Sequence, residues 1–191
     1  MTEHELIAAL QQNKSDAFGE LVERYKDQIV STCFNFVHNQ ADAEDLAQEV
    51  FIEVFKAIER FRGDASISTW LYRIAINKSL NFVKKHKRLR WIRNLQTAFS
   101  SDEKAQEVPD AKTADPHADL EQSERVRVLT NAIDSLAENQ KIAFNLSKFE
   151  GLSYKEIAKV MGTSVPAVES LLNRAKKALQ NKLHSYYKNQ I

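Results

Sequence analysis

Residues 68–94, STWLYRIAINKSLNFVKKHKRLRWIRN, hold the side chains best suited to nucleic-acid chemistry. Leu71, Ile74, Ala75 and Phe82 repeat at helical spacing and account for one buried face. Trp70, Tyr72, Arg73, Asn77, Lys78 and Asn81 cannot all share that burial. Rings interleaved with arginine, lysine and asparagine suit a single strand. Bases stack on the rings, and amides pair with the Watson–Crick edge of a base that has left the duplex. Lys84, Lys85, Lys87, Arg88, Arg90 and Arg93 follow as a strip of cations for phosphates. A second constellation lies in residues 150–179, EGLSYKEIAKVMGTSVPAVESLLNRAKKAL. It reads as a helix-turn-helix whose outer face carries Ala167, Glu169, Ser170, Asn173, Arg174 and Lys177, residue types that reach base edges and phosphates from the major groove. A third, Asp42, Glu44, Asp45, Gln48, Glu49 and Glu53, forms an acidic helical face beside Phe and Val. Paired carboxylates can bind metal or move protons, but no His or further acid completes such a site here. A protein-docking surface is the expectation.

The elements that would position these groups are all helices. Ser153 with Glu156 is a capping box opening a helix on Tyr154, Ile157, Ala158 and Met161, and Gly162 stops it. Thr163 or Ser164 caps the next helix, with Pro166 in its first turn and Val165, Val168, Leu172, Ala175 and Leu179 as its buried stripe. Small Ala158 lets the two helices cross closely over Val168 and Leu171. Thr2 with Glu5 caps a short first helix, and a second spans roughly 15–38 on Phe18, Leu21, Val22, Tyr25, Ile29, Cys33 and Phe36. After a break at Asn39-Gln40, Asp42 caps a third helix to about residue 60. Its apolar face, Leu46 to Phe61, is wide enough to be buried on two sides or to await a partner. Residues 62–65 form a loop, and Ser66 or Ser68 caps a fourth helix to about residue 90. Residues 95–121 lose periodicity and hold two of the three prolines, as a flexible acidic linker would. Helices resume near Ser123 and again from Asn139. The fold class is therefore all-α: two small helical domains, 1–94 and 122–191, joined by the linker 95–121.

Composition narrows the function. The net charge of +1 hides blocks of alternating sign. Residues 1–60 carry 5 basic and 12 acidic side chains, and 61–94 carry 9 and 1. Residues 95–124 carry 2 and 8, and 125–191 carry 11 and 5. Basic blocks suit phosphate, and acidic ones suit a protein or channel surface. The single Cys33 excludes a disulfide framework, and the five scattered His show no ligand spacing. A nucleophile–base pair, a metal cluster and a Gly-rich phosphate loop are missing from the sequence, so no catalysis, metal or cofactor is expected. Without a signal peptide or an apolar run of membrane length, a cytoplasmic location is expected.

Three segments resemble bacterial extracytoplasmic-function sigma factors: DAEDLAQEVFIEVFKAIERFRG, STWLYRIAINKSLNFVKKHKR and the helix-turn-helix tract, in matching order over nearly the whole chain. The resemblance implies sigma region 2 up to about residue 94 and region 4 from about 122. It implies no catalysis but docking of core RNA polymerase, through its β and β′ subunits, and melting of promoter DNA. Asp45, Gln48, Glu49 and Phe51 would meet the β′ clamp helices. Phe61, the 62–69 loop and Asn77 would capture a flipped minus-ten base, with Trp70, Tyr72 and Arg73 aiding strand separation and Lys78, Lys84 and Lys85 beside the DNA. The linker would thread the polymerase channels. Ser164, Glu169, Ser170, Asn173, Arg174 and Lys177 would read the minus-thirty-five element. Several family members carry Arg where this chain has Glu169 and Leu171, so its base contacts rest more on Ser170, Asn173, Arg174 and Lys177. An anti-sigma factor is the implied regulator of a chain expected to be monomeric when free. The competing reading is a LuxR-type response regulator or helix-turn-helix repressor. A receiver, however, needs alternating strands and helices with an acidic phosphorylation pocket.

Overall fold

The computed structural model describes residues 1–99 and 118–188. Eight α-helices and one 3-10 turn, with no strand, make up the described residues. The N-terminal unit comprises α1 (Glu3–Gln11), α2 (Ser15–Val37), α3 (Gln40–Ala57), a 3-10 turn (Ile58–Arg60) and α4 (Ile67–Phe99). The C-terminal unit comprises α5 (Ala118–Asp134), α6 (Glu138–Lys148), α7 (Tyr154–Met161) and α8 (Val165–Lys188). The all-α expectation therefore holds. Both expected capping boxes form: the Thr2 and Ser153 hydroxyls accept from the Glu5 and Glu156 amides, and each glutamate reaches back to its cap. Gly162 ends α7 in the left-handed region at φ 63°, where a Cβ would be strained.

Three boundaries differ from the sequence expectation. Asn39, not Asp42, caps α3: its side-chain oxygen accepts from the Asp42 amide, so Asp42 is the third residue of the helix. Helix α4 continues to Phe99, because nothing in its basic run breaks a helix, and α5 begins at Ala118. Both helices thus enter the span expected as linker, and the rest of that span, 100–117, lies outside the described residues.

In the N-terminal unit α2 packs on α3 and α4, and α1 lies across α2 and the 3-10 turn. In the C-terminal unit α5, α6 and α7 all pack on α8. The two units also meet, α4 against α7 and α2 against α6. One core runs through both: Leu21, Ile29, Val50, Val54, Leu71 and Ala75 join Ile142, Ala143, Leu146, Ile157 and Val160. A smaller cluster, Ala132, Ile133, Leu136, Ala175 and Leu179, closes α5 on α8. The two expected helical domains are present, and in this structure they also pack against one another. Residues such as Ile142 and Val160, which periodicity could assign only to their own unit, also cover the neighbour.

Candidate polymerase and nucleic-acid interfaces

Helix α3 divides its wide apolar face. Leu46, Ala47, Val50 and Val54 are buried against α2 and α4. Phe51 is only 6% exposed, so it is a core side chain and cannot serve as a docking contact. Its place on the surface is taken by Ile52 and Phe55, each 51% exposed. The Phe55 ring meets Phe18 edge-on at 5.2 Å, which holds the apolar surface in place. Asp45, Gln48 and Glu49 are exposed on the same helix. Sequence reasoning missed Ile52 and Phe55 because a wide stripe does not reveal which of its edges is covered.

The start of α4 and the loop before it form a cleft. Phe61 stacks on Trp70 with ring centroids 4.9 Å apart and an interplanar angle of 27°. Gly63 turns the loop at φ 73°, and the Ser66 hydroxyl caps α4 by accepting from the Thr69 amide at 3.2 Å. Residues 67–69, expected as loop, are the first turn of α4. The cleft of about 350 Å³ lies between this loop and α1, lined by Glu3, Ile7, Gln11, Phe61, Gly63 and Ser66.

Asn77 is not in that cleft. Seven residues beyond Trp70 it stands about 10 Å further along the helix axis. There it lines a second cleft of about 420 Å³ with Arg73, Asn139, Val160, Met161 and Gly162. The expected grouping of Phe61 with Asn77 in one pocket is therefore corrected. Arg73 donates from Nε to the Val160 carbonyl at 3.1 Å and from its guanidinium to the Lys159 carbonyl. These carbonyls lie in the last turn of α7, where backbone acceptors and helix dipole both favour a cation. Tyr72 is buried at 5% exposure, and burial pushes its hydroxyl up to about 12. It is a packing residue, not a strand-separating one. Lys78 is bound to α3 through Glu49 at 3.2 Å and Glu53 at 3.0 Å. Burial acts to lower its pKa, but the hydrogen bonds that its ammonium donates to both carboxylates prevail and raise it. Lys84 pairs with Glu138 of α6 at 2.8 Å, and Lys85 is exposed.

The outer face of α8 is continuous. Pro166, Glu169, Ser170, Asn173, Arg174 and Lys177 line one open depression of about 400 Å³. Beneath it, Val168 is fully buried and Ala158 and Ile157 close the α7–α8 crossing. Ser164 sits at the start of α8, its hydroxyl accepting from the Ala167 amide at 3.4 Å.

Comparison with known proteins decides among the readings. The family described as Sigma-70 region 2 matches residues 21–89, and that described as Sigma-70, region 4 matches 127–179. The ECF RNA polymerase sigma-E factor of Haemophilus influenzae is 32% identical, covering 96% of this chain and 96% of its own. This chain belongs to the extracytoplasmic-function sigma factors. The RNA polymerase sigma-H factor of Pseudomonas aeruginosa is 34% identical over 95% of this chain and 93% of its own. The sigma-E factor of Escherichia coli K12 is 32% identical over 96% and 95%. Among solved structures, CnrH in complex with the cytosolic domain of CnrY has the same fold. Its TM-score is 0.69 at 23% identity, over 96% of this chain and 97% of that one. RpoE of Bartonella quintana, solved with the anti-sigma factor NepR, has a TM-score of 0.59 at 18% identity, over 87% and 96%. As a sigma factor the chain is a transcription initiation factor, and the response-regulator alternative falls away. Its N-terminal unit holds region 2 and its C-terminal unit region 4. On α8, Glu169, Ser170, Asn173, Arg174 and Lys177 share one depression, whereas the α4 residues are divided between two clefts and the core.

Proposed function

We propose that this sigma factor docks core RNA polymerase through α3, opens the minus-ten element at the α4 end of region 2, and reads the minus-thirty-five element with α8. The observation that carries the reading is the exposed α3 surface, where Ile52 and Phe55 stand beside Asp45, Gln48 and Glu49. An apolar centre with a polar rim is the anatomy of a protein interface. The partners in this reading are the β and β′ subunits, with promoter DNA as the ligand. Phe61 and the 62–66 loop capture a base of the opened strand, and Trp70 backs the Phe61 ring. Lys84 and Lys85 meet phosphates, and Asn77 and Arg73 reach DNA once region 4 has moved away. On α8, Ser170, Asn173 and Arg174 reach base edges and Lys177 a phosphate. The factor performs no catalysis itself and works in the cytoplasm. The segment between α4 and α5 threads the polymerase channels. An anti-sigma partner is supported by NepR on RpoE, which has the same fold.

The test is run-off transcription with core polymerase on genomic promoter fragments, beside a fluorescence titration of core binding. Gln48→Ala, Asp45→Arg and Phe55→Ala should each weaken core binding at least severalfold and leave the helical circular dichroism unchanged. Unaltered affinity in all three would remove α3 as the docking surface.

A further inference from the structure

We propose that α1 is a specificity-determining wall of the base pocket, and that Glu3 selects an unpaired base carrying an exocyclic amino group, cytosine or adenine. The proposal rests on the reading of the Phe61 loop as the place of base capture, and nothing in that reading involves α1. Three side chains of α1 and the turn after it hold the loop at both ends. Gln11 donates from Nε2 to the Phe61 carbonyl at 2.9 Å. Asn13 donates from Nδ2 to Glu59 Oε1 at 3.1 Å. The Ile67 amide, first in α4, donates to Glu3 Oε1 at 2.8 Å. Helix α1 is itself anchored by Leu6, Ala9 and Leu10 in the core and by its own capping box. The loop that would receive a base is therefore set against a rigid wall.

That wall has the right chemistry for a base. The cleft holds about 350 Å³, at the lower end of the volumes that take small ligands. Ile7 and Phe61 supply apolar surface for the base face, and Glu3, His4 and Arg62 are the titratable side chains that line the cleft with them. One Glu3 oxygen is engaged by the Ile67 amide, which fixes the carboxylate and leaves its second oxygen as a pure acceptor. An ionised carboxylate accepts from an amino group, as it does from the cytosine amine. A keto oxygen in the same place, as in thymine or guanine, faces it acceptor to acceptor. Glu3 thereby links two roles in one side chain, orienting the loop with one oxygen and reading the base with the other.

The experiment uses holoenzyme reconstituted from core polymerase and the full chain. The probes are promoter duplexes premelted by mismatch across the minus-ten element. Each non-template position carries in turn the four bases or an abasic nucleotide, and affinity is read by fluorescence anisotropy. At one position wild type should bind cytosine above thymine, and adenine above guanine, by about tenfold (roughly 1.4 kcal/mol). Glu3→Gln keeps an oxygen for the Ile67 amide but offers the base an amide donor, so within each pair the preference should shift to the keto base. Ile7→Phe fills the cleft and should lower every base to the abasic level without altering abasic binding, an arm that stands even where Glu3→Gln is unstable. Overturning results are a wild-type preference for the keto bases, an unchanged ranking in folded Glu3→Gln, or Ile7→Phe that discriminates as wild type does. If wild type bound abasic and intact strands equally at every position, the base-capture reading itself would fall. An intact capture position with rankings indifferent to Glu3 would remove only the role of α1.

Discussion

Lys177 and Asn173 lie on one face of α8, one turn apart, yet the chemistry of each assigns it a different part of promoter binding. Both line the same depression with Glu169, Ser170 and Arg174. A lysine is a compact charge that meets phosphate whatever the sequence, whereas an asparagine amide can pair with a base edge in two places. Lys177→Ala should weaken binding evenly across promoter sequences and lower the salt slope of affinity by about one unit. Asn173→Ala should instead relax preference at one position of the minus-thirty-five element, by about 1–3 kcal/mol of discrimination. Glu169 repels phosphate unless it accepts from a cytosine amine, so Glu169→Arg should raise affinity and change the selected sequence together. Selection from randomised minus-thirty-five DNA checks all three. One common sequence from wild type and every variant would mean that α8 reads shape, not bases.

At the scale of elements, the helix-turn-helix depends on its cap. The Ser153 hydroxyl accepts from the Glu156 amide at 3.4 Å, while Glu156 Oε2 receives the Ser153 amide at 2.8 Å. The Ser153 hydroxyl, donating to the same Oε2 at 2.7 Å, and the Ser153 amide together hold the Glu156 carboxyl below its ordinary value. Ser153→Ala removes one partner of this reciprocal pair and should cost about 1 kcal/mol in a denaturant titration, with the apparent minus-thirty-five affinity falling in parallel. A stability loss near zero would mean that burial of Ile157 and Ala158 alone fixes α7. Local grammar of this kind is why so much of the fold could be read from the sequence. The two capping boxes, the Gly162 stop and the stripe from Val168 to Leu179 involve neighbours in the chain and were visible there, whereas the α3 cap was placed at Asp42 and lies at Asn39. What could not be read involves partners far apart. Phe51 and Phe55 are one turn apart and equally apolar, and only the packing of α2 and α4 decides that the first is core. Tyr72 looked available because its burial comes from other helices. Lys78 looked like a phosphate ligand because Glu49 and Glu53, on a different helix, become its partners only after folding.

At the scale of the whole molecule, the contact between regions 2 and 4 engages or borders residues proposed to reach DNA. Arg73 is spent on α7 carbonyls, and Asn77 faces Val160 and Met161 across a cleft. In the proposed reading the chain opens before these two residues meet a strand. The contact between the two units is also polar and titratable. Glu150 Oε1 accepts from Ser31 Oγ at 3.2 Å and Asn35 Nδ2 at 3.3 Å, and Asn145 donates to the Asn35 carbonyl at 3.1 Å. Asp134 meets His38 Nε2 at 3.0 Å and binds Lys141, which lies over the Phe36 ring. Burial raises the Glu150 carboxyl above its ordinary 4.5, outweighing the hydroxyl and amide donors around it. For Asp134 burial acts upward too, but hydrogen bonds from His38 and Lys141 prevail and hold it low. The signs then oppose. A raised carboxyl binds its proton more tightly in the closed form, so Glu150 favours closure fully below 4.5 and loses that contribution as pH rises through its raised value. A lowered one favours closure above its ordinary 3.8, and that contribution is lost only as pH falls through the lowered value. As pH rises from 4.5 through the raised Glu150 value, Asp134 stays ionised and only Glu150 changes among these two, so closure should weaken across that interval. Energy transfer between dyes on Gln12→Cys and Gln180→Cys reports it directly, both positions being exposed. The native Cys33 does not compete for dye, since it is fully buried and burial pushes its thiol up to about 11. Wild type should lose transfer efficiency as pH rises through this range. Glu150→Gln keeps a side-chain acceptor for Ser31 and Asn35 without the charge, and should stay closed throughout. A wild-type profile flat in pH, or one that Glu150→Gln reproduces, would show that Glu150 does not set the closure.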